Sequence, residues 1–158
     1  MLSTVGGAAT AAPRGPYEWP LAPRPSVERG FDPPAQRWRS GHRGVDLGAA
    51  PDAAVLAAGA GTVRFAGTVG GRPTVSVLHP DGIITTYEPV RATVRAGETV
   101  VRGRVLGYLD AGHAGCPAAA CLHWGARRGA GRTAEYLDPL ALVGAVRVRL
   151  KPVGDRPG

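Results

Sequence analysis

The chain has 158 residues, among them 24 glycines and 15 prolines, and a formal net charge of +7. That length accommodates one domain with an ordinary buried core, and no stretch has the ~20 apolar residues that a membrane-spanning helix needs. The positive charge suits an anionic partner such as a cell-wall polymer or a membrane surface; scattered arginines with no aromatic-interleaved basic motif argue against nucleic acid.

Met1 to Ala12 is small and weakly apolar and ends Ala9-Thr10-Ala11-Ala12, like the end of a signal peptide with its small-residue cleavage site. The basic and fully apolar parts of such a signal are missing. Residues 1–15 are therefore read as the remnant of a leader whose start is placed too late, or as a small-residue tail. Pro13 to Pro34 holds seven of the fifteen prolines, together with Tyr17, Trp19, Leu21 and Phe31. Proline at that density opposes helices and strand ladders. The large apolar side chains imply a segment that wraps across the domain and packs its rings there.

Ser40-Gly41-His42-Arg43-Gly44-Val45-Asp46-Leu47-Gly48 sets an imidazole and a carboxylate four residues apart among three glycines. Glycine at that density disfavours a helix, so the stretch reads as a turn entering a strand. A fully extended chain would hold the two side chains on one face but roughly 13 Å apart. Zinc ligands lie within about 2 Å of the metal. The backbone must bend between them, and Gly44 is the residue expected to allow it. Leu122-His123-Trp124 supplies a candidate third ligand.

Beyond Ala53 the pattern is strand and turn. Val55 to Gly59, Gly61 to Gly67 and Thr74 to Leu78 read as strands, and Pro80-Asp81-Gly82 as a turn. Ile83 to Tyr87 returns from it as a hairpin. Val94 to Gly107, with glycine turns and alternating valines, reads as a compact β-hairpin element. Leu122 to Ala126 is the last core strand. Tyr136 to Val143 is a short helical turn, with Asp138 as its cap and Pro139 in first position. Val146, Val148 and Leu150 alternate with arginines as an edge strand in a C-terminal segment, residues 146–158. The two cysteines, Cys116 and Cys121, most simply form a disulfide in an exported protein. Reduced, Cys121 would be available as a fourth metal ligand.

Gly41-His42-x-Gly44-x-Asp46-Leu47 resembles the H-x-x-x-D signature of the lysostaphin/LytM-type zinc metallopeptidases, enzymes that cut peptide cross-links in bacterial peptidoglycan. Leu122-His123-Trp124 stands where that family has H-L-H-F, and the resemblance covers residues 16–145. It implies an all-β, LytM-type domain: an antiparallel sheet with β-hairpins, of the duplicated hybrid-motif kind, with little helix. It implies Zn2+ held by His42, Asp46 and His123, with a fourth position left for water, whose pKa the metal lowers. The valine-rich element resembles the hammerhead shared with lipoyl carriers, but a carrier needs a lysine at its turn and the chain's one lysine is Lys151.

The resemblance fails at two positions. The family's proton-handling histidines correspond to Pro89 and Cys121, which cannot replace them. Glu88, expected on the opposite strand face from Pro89, and His113 are the possible substitutes; His79 reads as structural. Two functions follow. One is a peptidoglycan endopeptidase with reduced activity. The other is a degenerate zinc-binding domain that binds wall peptides or regulates a partner cell-wall hydrolase. Either would be secreted or held in the cell envelope.

Overall fold

A computed structural model describes residues 15–111 and 115–145. The larger of two antiparallel sheets runs β1 (Val27–Arg29), β2 (Gly44–Ala49), β10 (Ala120–Arg128), β6 (Ile84–Glu88), β5 (Arg72–Leu78), β4 (Gly61–Val69) and β8 (Thr99–Val100). On β10, β11 (Glu135–Leu137) pairs beyond the end of β2. The smaller sheet has β9 (Val105–Leu109) between β3 (Ala54–Leu56) and β7 (Val90–Ala92). Among the described residues the only helical elements are two 3-10 turns, Gly131–Thr133 and Pro139–Val143. The all-β expectation holds.

Period-two alternation in the four central strands divides core from site. Val45 and Leu47 of β2, Leu122 and Trp124 of β10, Tyr87 of β6, and Val75 and Val77 of β5 are wholly buried. Each such apolar side chain contributes about 1.5–3 kcal/mol through burial. Val55, Val90, Leu106 and Leu109 of the smaller sheet and its edges belong to the same core. Interleaved residues occupy the other face. Asp46 pairs across the ladder with His123, and His123 with Glu88; Gly44 pairs with Gly125, Gly125 with Thr86, and Thr86 with Ser76.

The proline-rich lead-in wraps the domain as expected, with Tyr17 and Leu21 buried and Trp19 and Phe31 packed on the core. Its proline-free centre departs from expectation, because Val27–Arg29 pairs with β2. Three residues without proline suffice for a short edge ladder. The segment from Val94 to Gly107 is not a self-paired hairpin. Its β8 pairs with β4, while β9 joins β3 and β7 in the other sheet, so the segment ties the two sheets together. Asp138 caps the final turn, its carboxylate accepting from the Leu140 amide at 3.0 Å. Tyr136, expected in that turn, belongs to β11 instead. The tail of residues 1–12 and the edge strand expected at Val146 to Leu150 lie outside the described residues.

Candidate metal centre

His42 sits two residues before β2, where it forms an isolated bridge with Asp32. Its amide donates to the Asp32 carbonyl at 2.6 Å, and the Asp32 amide donates back at 2.8 Å. The proline-rich segment thus fixes the backbone of His42, and the chain bends at Arg43 before β2 begins. Gly44 has a different role from the expected hinge. A Cβ there would lie 2.5 Å from the Trp124 carbonyl and 2.9 Å from the His123 ring. Glycine lets β10 approach closely enough to bring His123 beside Asp46.

The three residues converge. His42 Nε2 lies 3.1 Å from Asp46 Oδ1, and His123 Nδ1 lies 3.0 Å from the same oxygen. The ligand atoms of all three fall within 4.8 Å of one another. Asp46 and His42 are buried, while His123 is partly open to solvent. The donor set fits zinc on two counts. Tetrahedral coordination at about 2.0–2.1 Å places ligand atoms about 3.3 Å apart, close to the observed His–Asp separations. In addition, His42 Nδ1 lies 2.7 Å from the Gly30 carbonyl, which can only accept, so Nδ1 carries the proton. In the neutral imidazole, the form that ligates a metal, the Nε2 lone pair then faces a carboxylate oxygen, acceptor against acceptor, and a cation between them resolves the conflict. A backbone carbonyl fixing the tautomer of a ligating histidine is a recurrent feature of metal sites.

A groove of about 500 Å³ opens beside His123. Gly125, Thr86 and Ser76, small residues in one ladder row, lie along it. Glu88 also lines it, which corrects the sequence expectation. Strand β6 ends at Glu88, so alternation counted from Pro89 does not apply; pairing opposite His123 puts Glu88 on the site face. Glu88 Oε2 accepts from Thr74 Oγ1 at 3.2 Å, and Arg72 Nη1 stands 3.8 Å from Oε1.

Pro89 is buried, and its carbonyl accepts from the Asp110 amide. Cys121 is fully buried, its sulfur at bonding distance from Cys116 with the Cα atoms 5.8 Å apart. Paired in that way, Cys121 offers no thiolate for a closed four-ligand site. His113 lies outside the described residues.

His79 is structural. Its Nδ1 faces the Ala60 carbonyl at 2.9 Å and its Nε2 meets Thr85 Oγ1 at 2.7 Å. Thr85 in turn bonds the Tyr87 hydroxyl, which accepts from the Ala58 amide at 3.0 Å. Burial pushes the Tyr87 phenol up to about 12 and holds the His79 imidazole below its ordinary value. The Tyr17 hydroxyl donates to the Asp81 carboxylate, and burial followed by that hydrogen bond raises its pKa.

The model of peptidase family M23 matches residues 40–139, a span that contains the whole His42–Asp46–His123 cluster. The chain belongs to that family. An uncharacterized protein of Mycobacterium tuberculosis is 51% identical over 151 residues, covering 96% of this chain and 61% of that protein. One of Mycobacterium bovis matches equally. The chain thus spans 61% of the length of these curated relatives. Among solved structures, the antimicrobial peptidase lysostaphin from Staphylococcus simulans superposes with a TM-score of 0.67 at 22% identity, over 85% of this chain and 56% of that one. A chain of the SpoIIIAH–SpoIIQ complex gives 0.63 at 22% identity, over 79% and 98%. This M23 domain therefore has the lysostaphin-type fold. Sequence reasoning missed the Gly30 carbonyl and the groove arginines. Arg127, four residues beyond His123 on the same strand face, was findable by alternation; a backbone acceptor leaves no such mark.

Proposed function

We propose that this M23 domain is a zinc metalloendopeptidase acting on peptides of bacterial peptidoglycan outside the cytoplasm, with reduced turnover. The observation that carries the reading is the convergence of two imidazoles on one buried carboxylate oxygen at the head of a groove. His42, Asp46 and His123 would hold the metal. Bound zinc supplies Lewis-acid polarisation of a peptide carbonyl and acidification of water.

The chain's own residues supply the rest. Gly30 keeps the His42 proton on Nδ1. The row Gly125, Thr86, Ser76 presents little bulk, so an extended peptide can lie against the sheet. Glu88 is the carboxylate positioned to take up a proton, since directly opposed residues in an antiparallel pair have Cβ atoms about 4.5–5.5 Å apart. Its ion pair with a half-exposed Arg72 is weak and does not hold it back. Pro89 and Cys121 carry no proton. General acid–base groups contribute about 10²–10⁴-fold each, which is the reason for reduced turnover.

The burial of Pro89 and the commitment of Cys121 to Cys116 favour a second reading, a non-hydrolytic member that binds wall peptides or regulates a partner hydrolase. Digestion of cross-linked muropeptides by zinc-loaded protein, followed by mass spectrometry, separates the two. Measurable cleavage that falls at least tenfold in Glu88→Gln supports the first. In the triple variant Pro89→His, Cys121→His, Cys116→Ala, the restored imidazoles should raise turnover at least tenfold at unchanged zinc content. No cleavage by any of these proteins at full zinc occupancy selects the second reading.

A further inference from the structure

Besides the metal cluster, the groove carries an unusual charge pattern. Arg43, Arg64 and Arg127 all line it, against the single carboxylate of Glu88. Among the described residues none of the three arginines has a carboxylate within ion-pair distance, and Glu88 already faces Arg72. Arg43 is held in place, its Nη2 donating to the Arg37 carbonyl at 2.6 Å and its guanidinium lying 5.4 Å from the Tyr136 ring centroid. Arg127 shares the site face of β10 with His123 and, four residues further on, stands about 13 Å along the strand. Arg64, on β4, is exposed.

Guanidinium groups without a carboxylate partner in a concave site raise the local concentration of anions, and their planar donor fork matches a carboxylate. Their separation matters too. One bound anion would need them clustered, whereas arginines on three different strands or strand ends suit an extended ligand with several charges.

We infer that the groove selects acidic peptides, with Arg64 and Arg127 holding ligand carboxylates away from the metal centre and Arg43 holding one close to it. This rests on reading the cluster as a peptide-hydrolysing centre, because the arginines select what that centre receives. The floor contributes little selectivity of its own. A Cβ at Gly125 would meet nothing closer than 3.8 Å, so the groove there is open.

The test uses uncross-linked muropeptide monomers, which hold no cross-link to be cut, and the same monomers with their carboxylates converted to primary amides. Affinity for zinc-loaded protein is measured by calorimetry. The native monomers should bind at least tenfold more tightly than the amides. The double variant Arg64→Gln, Arg127→Gln should bring the two within about twofold while zinc content stays unchanged. The double variant Arg95→Gln, Arg104→Gln, at two exposed positions outside the groove, removes the same charge and should leave the preference intact. Equal affinity for both probes, no binding of either, or a loss in the Arg95→Gln, Arg104→Gln control as large as that in the groove variant would overturn the inference. A protein that keeps the preference but cleaves nothing would refute the hydrolase reading and leave the acidic-peptide site standing.

Discussion

Asp46 Oδ1 is the atom on which the site turns, because both imidazoles reach it and the sheet buries it. Two substitutions address this scale. Alanine at His42, Asp46 or His123 should abolish stoichiometric zinc binding, read by metal analysis of protein purified without chelators; full zinc content in the Asp46→Ala protein would contradict the ligand set. Gly44→Ala is subtler. Its methyl would press on the His123 ring and the Trp124 carbonyl, so something must shift, and zinc affinity should fall about ten- to a hundredfold, the range seen when support around a ligand is disturbed. Unchanged affinity would show that β10 yields without cost. At this scale the sequence showed which residues converge, because an H-x-x-x-D spacing and a distant histidine are visible in one dimension. It hid why Gly44 is glycine, since a close approach between strands depends on register. Glu88 departs from its sequence expectation for the same reason: facing is set by the partner strand, and β6 ends before Pro89.

Strand β10 joins core and site. Leu122, Trp124 and Ala126 face inwards, while His123, Gly125 and Arg127 face the groove. Trp124→Ala should therefore cost about 3–5 kcal/mol of stability, measurable by denaturant unfolding. Gly125→Leu should leave stability nearly unchanged yet block the groove and abolish muropeptide cleavage. On the inner face of β6 the His79–Thr85–Tyr87 chain makes stability depend on pH. Desolvation by burial lowers the His79 pKa, opposed by the Ala60 carbonyl and by Asp81, with the Tyr17 ring packed edge-to-face and the two ring centroids 5.0 Å apart. An unfolded histidine titrates near about 6.5. Below that pH the unfolded chain binds more protons than the folded one, so stability falls as pH drops from about 6.5 through the folded pKa, then levels off. With zinc removed, the melting temperature should drop more between pH 7.5 and 5 in the wild type than in His79→Asn. Equal drops would contradict the assignment. Strands β4, β5, β6 and β10 were legible because alternation marks them. Alternation does not reveal partners, which is why the element from Val94 to Gly107 resembles a hairpin in sequence although it links two sheets.

At the scale of the whole molecule, composition told of an all-β domain and a resemblance carried the family, both of which the fold and the M23 match bear out. No helix among the described residues is long and apolar enough to cross a membrane. The net charge of +7 suggests an anionic partner from the sequence alone. That three arginines meet along one groove is not visible there, since Arg43, Arg64 and Arg127 are distant in sequence. Metal and fold should also be linked. Free zinc at one hundred times its dissociation constant adds about 2.7 kcal/mol to stability, so chelation should lower the melting temperature of the wild type and leave the Asp46→Ala protein unaffected. The central claim, that the His42–Asp46–His123 cluster makes this M23 domain a metal-dependent peptide hydrolase despite Pro89 and Cys121, is tested most directly by titrating metal-free protein with zinc while following cleavage of cross-linked muropeptides. Turnover should rise linearly and break at one zinc per chain. Cleavage independent of zinc, or none at one bound zinc per chain, would contradict it.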